Sequence, residues 1–337
     1  MKYDVFGMCN PLFDIQAEVS DSLIGEIGLQ KGAMQLIDAD QQQRLVERIA
    51  SQVVNAQAGG SGANTMIGVA MLGGTACYAG KLGADEHGGL YTSGLESCGV
   101  RLLASPGDGP TGISVILVTP DAERTMCTHL GICRELSPSD IDTAAIAESR
   151  YLYVTGYLWD TESQKAAVLH AMNSARTAGV KVALSLSDPF CVGRHKEDFL
   201  KIVREHVDIL IGNGEEAMAL TDTGTPEQAA AAMLHWCEVA VITLGARGSI
   251  LGSSAGLIHV PAHTVVPVDS TGAGDMFAAG LLYGLTQGLS LEECGQIASC
   301  VAAQVVGKLG PRLERIDEGL LSQACATWRG PVAAVRV

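Results

Sequence analysis

With 337 residues, 47% of them hydrophobic, the chain holds enough apolar material for one large α/β domain or two ordinary ones. A formal net charge of −15 argues against nucleic acid or an anionic membrane as the main partner, while leaving room for a local basic pocket that takes phosphate. Ten scattered cysteines without a Cys-x-x-Cys pair, no apolar run near the roughly 18–20 residues of a membrane span, and no apolar stretch of signal-peptide length at the N-terminus predict a soluble cytoplasmic protein with reduced thiols.

In chain order, "YDVFGM" reads as a first strand. "AIAESRYLYVTGYL" passes from helix into strand, and "SQKAAVLHAMNSARTAG" is a helix closed by Gly179. "VKVALSL" is a strand, "FLKIVREHV" a helix and "DILIGN" a strand. "TPEQAAAAMLHWC" is a helix with Thr225 as N-cap and Pro226 at its first position, and "VAVITLG" is the next strand. "HTVVPV" alternates like a strand, and "MFAAGLLYGL" reads as a buried helix. Alternation of this kind predicts a mainly parallel sheet covered by helices on both faces. Residues 12–38 and 99–130 depart from it, reading as strands and hairpins with little helix. "ISVILVT" and "RTMCTHL" form a hairpin across "PDAE". Together the two regions predict a small second sheet within a single domain spanning 1–337.

Four stretches carry candidate chemistry. In "DSTGAGD", Asp269–Asp275, the small residues Gly272, Ala273 and Gly274 leave backbone N–H groups free at a helix start, which makes an anion site. Asp275 lies in the first turn beside that anion. A carboxylate there makes chemical sense if it takes a proton from a hydroxyl attacking a bound phosphate, and equally serves as a dipole-stabilising first-turn acid with Thr271 as a cap. "GGSGANTMIGVAMLGG" offers Gly59 and Gly60 for close approach of a ligand and Asn64 to hydrogen-bond it, or else is a tightly packed helix start. "IGNGEEAMAL" places Asn213 at a strand end and Glu216 three residues on. That pair suits water-mediated Mg²⁺ binding near phosphates or a capping box. "ITLGARGS" cradles a nucleotide or turns a hairpin.

No Walker A loop or Gly-x-Gly-x-x-Gly fingerprint occurs, which leaves a dinucleotide-dependent oxidoreductase without support. His259 and His263 are separated by Pro261 and share no helical metal face.

Taken together, "DSTGAGDMFAAG", "GGSGANTMIGVAMLGG" and "NGEE" resemble, over essentially the whole chain, the ribokinase or phosphofructokinase-B family of carbohydrate and purine kinases. The resemblance implies a three-layer α/β/α sandwich with a small β lid drawn from about 12–38 and 99–130. It implies Asp275 as general base and Gly272, Ala273 and Gly274 as an anion hole for the transferred phosphoryl group. It gives Asn213 and Glu216 to Mg²⁺, Thr243, Gly245, Gly248 and Thr271 to ATP, and Asp269 to a monovalent-cation site that would take K⁺. A nucleotide-binding regulatory protein without catalysis would be expected to have lost the base or the anion hole, and both are kept.

For the acceptor, "FGMCNPLFDIQA" and "SDPFCV" resemble the adenosine-kinase branch. Asp14 would accept from vicinal ribose-type hydroxyls, with Asn10, Gly59, Gly60 and Asn64 around it and Arg124 as a lid arginine approaching the phosphates. Met34 and Leu36 line an apolar slot for a purine or belong to the core. Aromatic residues make up only 4% of the chain, so no stacking partner stands out, and a ribose- or fructose-type sugar kinase stays open beside an adenosine kinase. The lid sheet implies either a monomer or a homodimer paired through it.

Overall fold

Val5 and Phe6 are neighbours in the first strand, both fully buried, yet they belong to different cores. That division follows from the two-residue period of a strand whose faces are both covered. The computed structural model describes residues 1–121 and 123–326. The chain begins with β1 (Tyr3–Met8), β2 (Leu12–Glu18), α1 (Asp21–Glu26), β3 (Met34–Leu36), α2 (Ala39–Ile49), β4 (Val53–Gly59) and α3 (Ser61–Met71). Next come β5 (Ala76–Ala79), β6 (Lys81–Gly83), α4 (Glu86–Ser97), β7 (Val100–Leu102), β8 (Ser105–Gly107), β9 (Gly112–Val118) and β10 (Arg124–His129). The middle holds α5 (Thr143–Ala147), β11 (Ser149–Thr155), α6 (Glu162–Ala178), β12 (Lys181–Ser185), α7 (Pro189–His206) and β13 (Ile209–Asn213). The last part is α8 (Gly214–Thr221), α9 (Pro226–Met233), β14 (Val239–Thr243), β15 (Ser249–Ser253), β16 (Gly256–Val260), α10 (Ala273–Thr286), α11 (Leu291–Val306) and α12 (Glu318–Ala324).

The main sheet runs β16-β15-β14-β13-β12-β11-β1-β5-β7, parallel from β14 to β7, with β15 and β16 antiparallel at one edge. One face packs on α3, α10 and α11 through Met66, Met276 and Ile297; the other packs on α5, α6, α7, α8 and α9. This is the expected three-layer α/β/α architecture, with crossover helices on both faces of a mainly parallel sheet. Local signals place the helix ends. Thr225 caps α9 by accepting from the Gln228 N–H, Pro226 stands at its first position, and Gly179 closes α6 at φ +71°.

A second sheet runs β3-β10-β9-β2-β4, and the β9–β10 hairpin has the expected antiparallel register. Its composition differs from the sequence reading in four respects, the first being that β8, at 105–107, pairs with β6 in a separate two-stranded sheet. β4, at residues 53–59, joins it although nothing singled that stretch out; its four leading residues are exposed, so its apolar pattern is weak. The 12–38 region contains α1, whose Leu23 and Ile24 are buried together with Ile15 and Ala17 of β2 and with Leu45 and Ile49 of α2. Residues 100–102 belong to the main sheet as its edge strand β7.

Residues 263–268, "HTVVPV", form no strand, which corrects the sequence reading. Pro267 lacks the N–H a ladder requires, and Val266 is 81% exposed. The segment is tied down at its end, where Val268 and Asp269 donate their N–H groups to the Val306 carbonyl.

Candidate active site

The parallel strands β1, β11, β12, β13 and β14 point their carboxyl ends toward one edge of the sheet, the position where ligands bind in open α/β sheets. The start of α3 brings Ser61 and Asn64, and the start of α10 brings Asp275, together from distant parts of the chain.

Gly272 is the residue before α10 and adopts φ +77°. A Cβ there would also lie 2.3 Å from the Pro311 carbonyl oxygen, so both conformation and space require glycine. Gly274 faces open space, with nothing within 4 Å of where its Cβ would be. Among the described residues no carbonyl accepts from the N–H groups of Gly274 and Asp275. An unobstructed helix start with free donors is suited to an anion.

Asp275 is held by α3. Ser61 Oγ donates to its Oδ1, and Asn64 Nδ2 donates to its Oδ2 at 2.9 Å. Burial raises its pKa, while Ser61, Asn64 and the Arg312 guanidinium act in the opposite direction. Asp14, on β2 of the second sheet, has its carboxyl laid against Gly59, where a Cβ would come within 2.1 Å of Oδ2. Burial pushes Asp14 up to about 7; Arg312 and Arg124 oppose that rise, and the nearby Asp275 adds to it. The two carboxyls are therefore electrostatically coupled across the region between the second sheet and α10. Gly60, the N-cap of α3, sits at φ +87° with its Cα against the Asn10 carbonyl oxygen.

Asn10 is largely committed to the scaffold. Its Oδ1 accepts from Gln164 Nε2 at 2.7 Å, and its Nδ2 donates to the Tyr157 carbonyl at 3.2 Å. Asn64 is 5% exposed, and beyond its bond to Asp275 its Oδ1 accepts from Arg312 Nε at 2.9 Å. It therefore faces the base directly.

On the nucleotide side, Asn213 and Thr243 are register partners at the ends of β13 and β14. Gly245 and Gly248 flank the short turn that joins β14 to β15 as a hairpin. Gly248 lies at φ +89° with its Cα against the Val260 carbonyl oxygen, so its glycine is set by packing. Gly245 has open space around it. Asn213 and Glu216 form a full capping box at the start of α8: Glu216 Oε2 accepts from the Asn213 N–H at 2.9 Å and Oε1 from Asn213 Nδ2 at 2.6 Å. Burial raises Glu216 to about 7. Among the described residues no group of three His, Cys, Asp or Glu could hold a metal ion. With each oxygen tied once to Asn213, Glu216 fits Mg²⁺ better as a partner of its waters than as a direct ligand.

Asp269 is also fully engaged. Its Oδ1 accepts from the Thr271 N–H at 3.0 Å and from Thr271 Oγ1 at 2.7 Å. Its Oδ2 accepts from the Gly310 N–H at 2.8 Å and pairs with Arg124 Nη2 at 2.6 Å. Arg124 Nη1 also donates to Thr271 Oγ1 at 3.1 Å. A guanidinium therefore stands where K⁺ binding to this carboxylate would need space, and the side chain does not fit that ion. The same contacts direct Arg124 from the second sheet onto the turn before α10.

Sequence reasoning missed Ser61 and Arg312. Ser61 stood in view beside Gly60, with a strand-to-helix junction as its only signal. Arg312 lies 248 residues from Asn64, and no local pattern could have joined them. Met34 and Leu36 are 51% and 60% exposed on the edge strand β3, which removes the core alternative for both. Phe190, in the "SDPFCV" stretch at the start of α7, is 80% exposed.

The sequence matches the pfkB family carbohydrate kinase profile over residues 30–317. The structure is similar to the adenosine kinase of Sinorhizobium meliloti, with a TM-score of 0.87 and 41% identity, covering 96% of this chain and 99% of that one. Mouse (Mus musculus) ribokinase is 31% identical over 273 residues, 75% of this chain and 79% of the relative. The 5-dehydro-2-deoxygluconokinase of Listeria monocytogenes serotype 4b (strain CLIP80459) is 29% identical over 262 residues, 74% of this chain and 81% of the relative. The family profile covers most of the chain, and the ribokinase is 31% identical across 75% of it, so the protein belongs to the pfkB family of carbohydrate kinases.

Proposed function

We propose that the protein transfers the γ-phosphoryl group of ATP to the primary hydroxyl of a nucleoside, adenosine first, forming the 5′-monophosphate. The observation that carries this reading is Asp275: a half-buried carboxyl oriented by Ser61 and Asn64 and placed beside free helix N–H donors. A structural first-turn acid needs no such clamp.

In the reaction, Asp275 takes the hydroxyl proton as the acceptor oxygen attacks the γ-phosphorus. The bond from that phosphorus to the β–γ bridging oxygen breaks, and ADP leaves with the bonding electrons. Gly274 and Asp275 present their free backbone N–H groups to the charge carried by the transferred group; Gly272 and Ala273 shape the turn, the Ala273 N–H being given to the Ser270 carbonyl. Asp14 accepts from the vicinal hydroxyls of the ribose, with Gly59 and Gly60 keeping the floor low enough for the ring. Arg124 and Thr271 border the phosphates, while Asn213, Thr243, Gly245 and Gly248 border the nucleotide. Mg²⁺ supplies charge neutralisation on the ATP phosphates, and Glu216 orders its waters.

The similarity of the whole chain to an adenosine kinase at 41% identity supports a nucleoside over a plain sugar. The similarity to a ribokinase and a deoxygluconokinase favours a second reading in which the acceptor is a ribose- or fructose-type sugar with the same Asp14 and Asp275 roles. ADP release measured with adenosine, inosine, guanosine, ribose and fructose separates the two. Turnover on adenosine supports the first reading, and turnover on sugars alone contradicts it.

A further inference from the structure

Arg312 lies in the loop after α11, and that loop is docked on the turn before α10 from two sides. The Gly310 N–H donates to Asp269 Oδ2, and the Pro311 carbonyl packs on the Cα of Gly272. From this anchored position Arg312 Nε donates to Asn64 Oδ1 at 2.9 Å, and Asn64 Nδ2 donates to Asp275 Oδ2 at 2.9 Å. An arginine side chain has donors only, and an ionised carboxylate has acceptors only. Between these two partners the Asn64 amide has one orientation that satisfies both. The terminal Arg312 Nη2 is buried with no hydrogen-bond partner. An arginine retained only for packing would avoid an unpaired buried donor, because it weakens folding.

We propose that Arg312 is a positioning residue for phosphoryl transfer: it locks Asn64 in the orientation that serves Asp275, and its guanidinium charge is shared by Asp14 and Asp275. The inference rests on the reading of Asp275 as the base. The charged groups in play are Asp14 from β2, Arg124 from β10, Asp275 from α10 and Arg312 from the C-terminal loop. The other titratable neighbours are Cys9, Tyr91, Tyr153 and Tyr157, each raised by burial and neutral near pH 7. Ser61 and Asn64, from α3, do not titrate. Arg312 is thus the positive group common to both carboxyls. Removing it lets protons bind them more readily, so the acid limb of activity moves to higher pH.

The test compares kcat/KM against pH for the wild type, Arg312→Gln, Arg312→Lys, Asn64→Ala and the Arg312→Gln/Asn64→Ala double variant. The acceptor is adenosine or ribose, whichever the wild type turns over, and Asp275→Asn is the control. Arg312→Gln is expected to lower kcat roughly tenfold or more, and the double variant to fall little below the worse single one, because coupled residues are not additive. Its acid limb should rise by about one pH unit, the low end of a lost opposite charge. Arg312→Lys keeps the charge and loses the Nε contact, so its acid limb stays in place while kcat drops; it carries the test if the glutamine variant does not fold. Multiplicative losses in the double variant, or an acid limb unmoved in Arg312→Gln, would overturn the proposal alone. Full activity in Asp275→Asn would overturn the reading beneath it, and the proposal with it.

Discussion

The acceptor side and the nucleotide side of the candidate site are built in different ways. On the acceptor side, Asp14, the α3 pair Ser61 and Asn64, Asp275 and Arg312 come from four separate parts of the chain; Ser61, Asn64, Asp275 and Arg312 are joined by hydrogen bonds, and Asp14 feels the charges of Arg312 and Asp275. On the nucleotide side, Asn213 with Glu216 is a capping box, and Thr243 to Gly248 is a hairpin turn. Each nucleotide-side motif would exist for folding reasons alone. Convergence of half-buried carboxyls and a half-buried guanidinium would not, since withdrawing charge from water is costly without a return in function. The contrast predicts that substitutions on the acceptor side cost activity far more than stability, with a milder and more mixed outcome on the nucleotide side.

Asp275→Asn should produce the largest effect, a fall of about 10²–10⁴ in kcat, the range of a lost general base. Steady-state kinetics together with an ATP titration by calorimetry check it, and ATP affinity should be retained.

Asp14→Ala should come next, raising the acceptor KM roughly 100-fold by removing hydrogen bonds to a charged group. In the wild type the same carboxyl, raised to about 7, accepts from two hydroxyls most strongly when ionised. Acceptor affinity should therefore be full above pH 7 and decline as pH falls through it, a trend absent from ATP affinity. An acceptor KM flat from pH 6 to pH 8 contradicts the assignment.

Gly272→Ala probes the turn between the two sides. Its φ of +77° alone costs about 1–3 kcal/mol for a residue with a Cβ, and the Pro311 carbonyl leaves no room for one. Calorimetry should show a thermal midpoint lowered by several degrees, together with loss of activity.

Glu216→Gln should be smaller. Burial has already raised this carboxyl to about 7, so the charged form is the one that costs folding, and that cost is present above pH 7 and relieved below it. The glutamine variant should therefore match or exceed wild-type stability at pH 8 while needing more Mg²⁺ for half-maximal rate. An unchanged Mg²⁺ titration makes Glu216 a cap and nothing more. Smallest of all is the response to K⁺. Arg124 occupies the Asp269 carboxylate, so exchanging K⁺ for choline should leave the rate unchanged.

The layered fold was readable because it rests on local patterns: "YDVFGM", the Thr225–Pro226 start of α9 and the Gly179 stop of α6 each carry their own signal. β4 was missed and the 263–268 segment misread, for opposite reasons. The first is a largely exposed strand held by its pairing with β2, and the second has a strand-like alternation broken by Pro267. The site was legible where a motif is contiguous, as in Asp269–Asp275. It was not legible at Arg312, whose importance lies wholly in a contact made across 248 residues. Nor could the sequence tell that Asn64 serves the base and that Asp269 is filled by Arg124, because both depend on which side chains the fold brings together.

The central claim is that Asp275 deprotonates a hydroxyl acceptor. It is tested most directly by ATP- and adenosine-dependent ADP release from the purified wild type and Asp275→Asn, with ATP binding measured on both. The account predicts turnover by the wild type, a loss of at least a hundredfold in the variant and equal ATP affinity, within the range for a general base. A variant that releases ADP at the wild-type rate contradicts it.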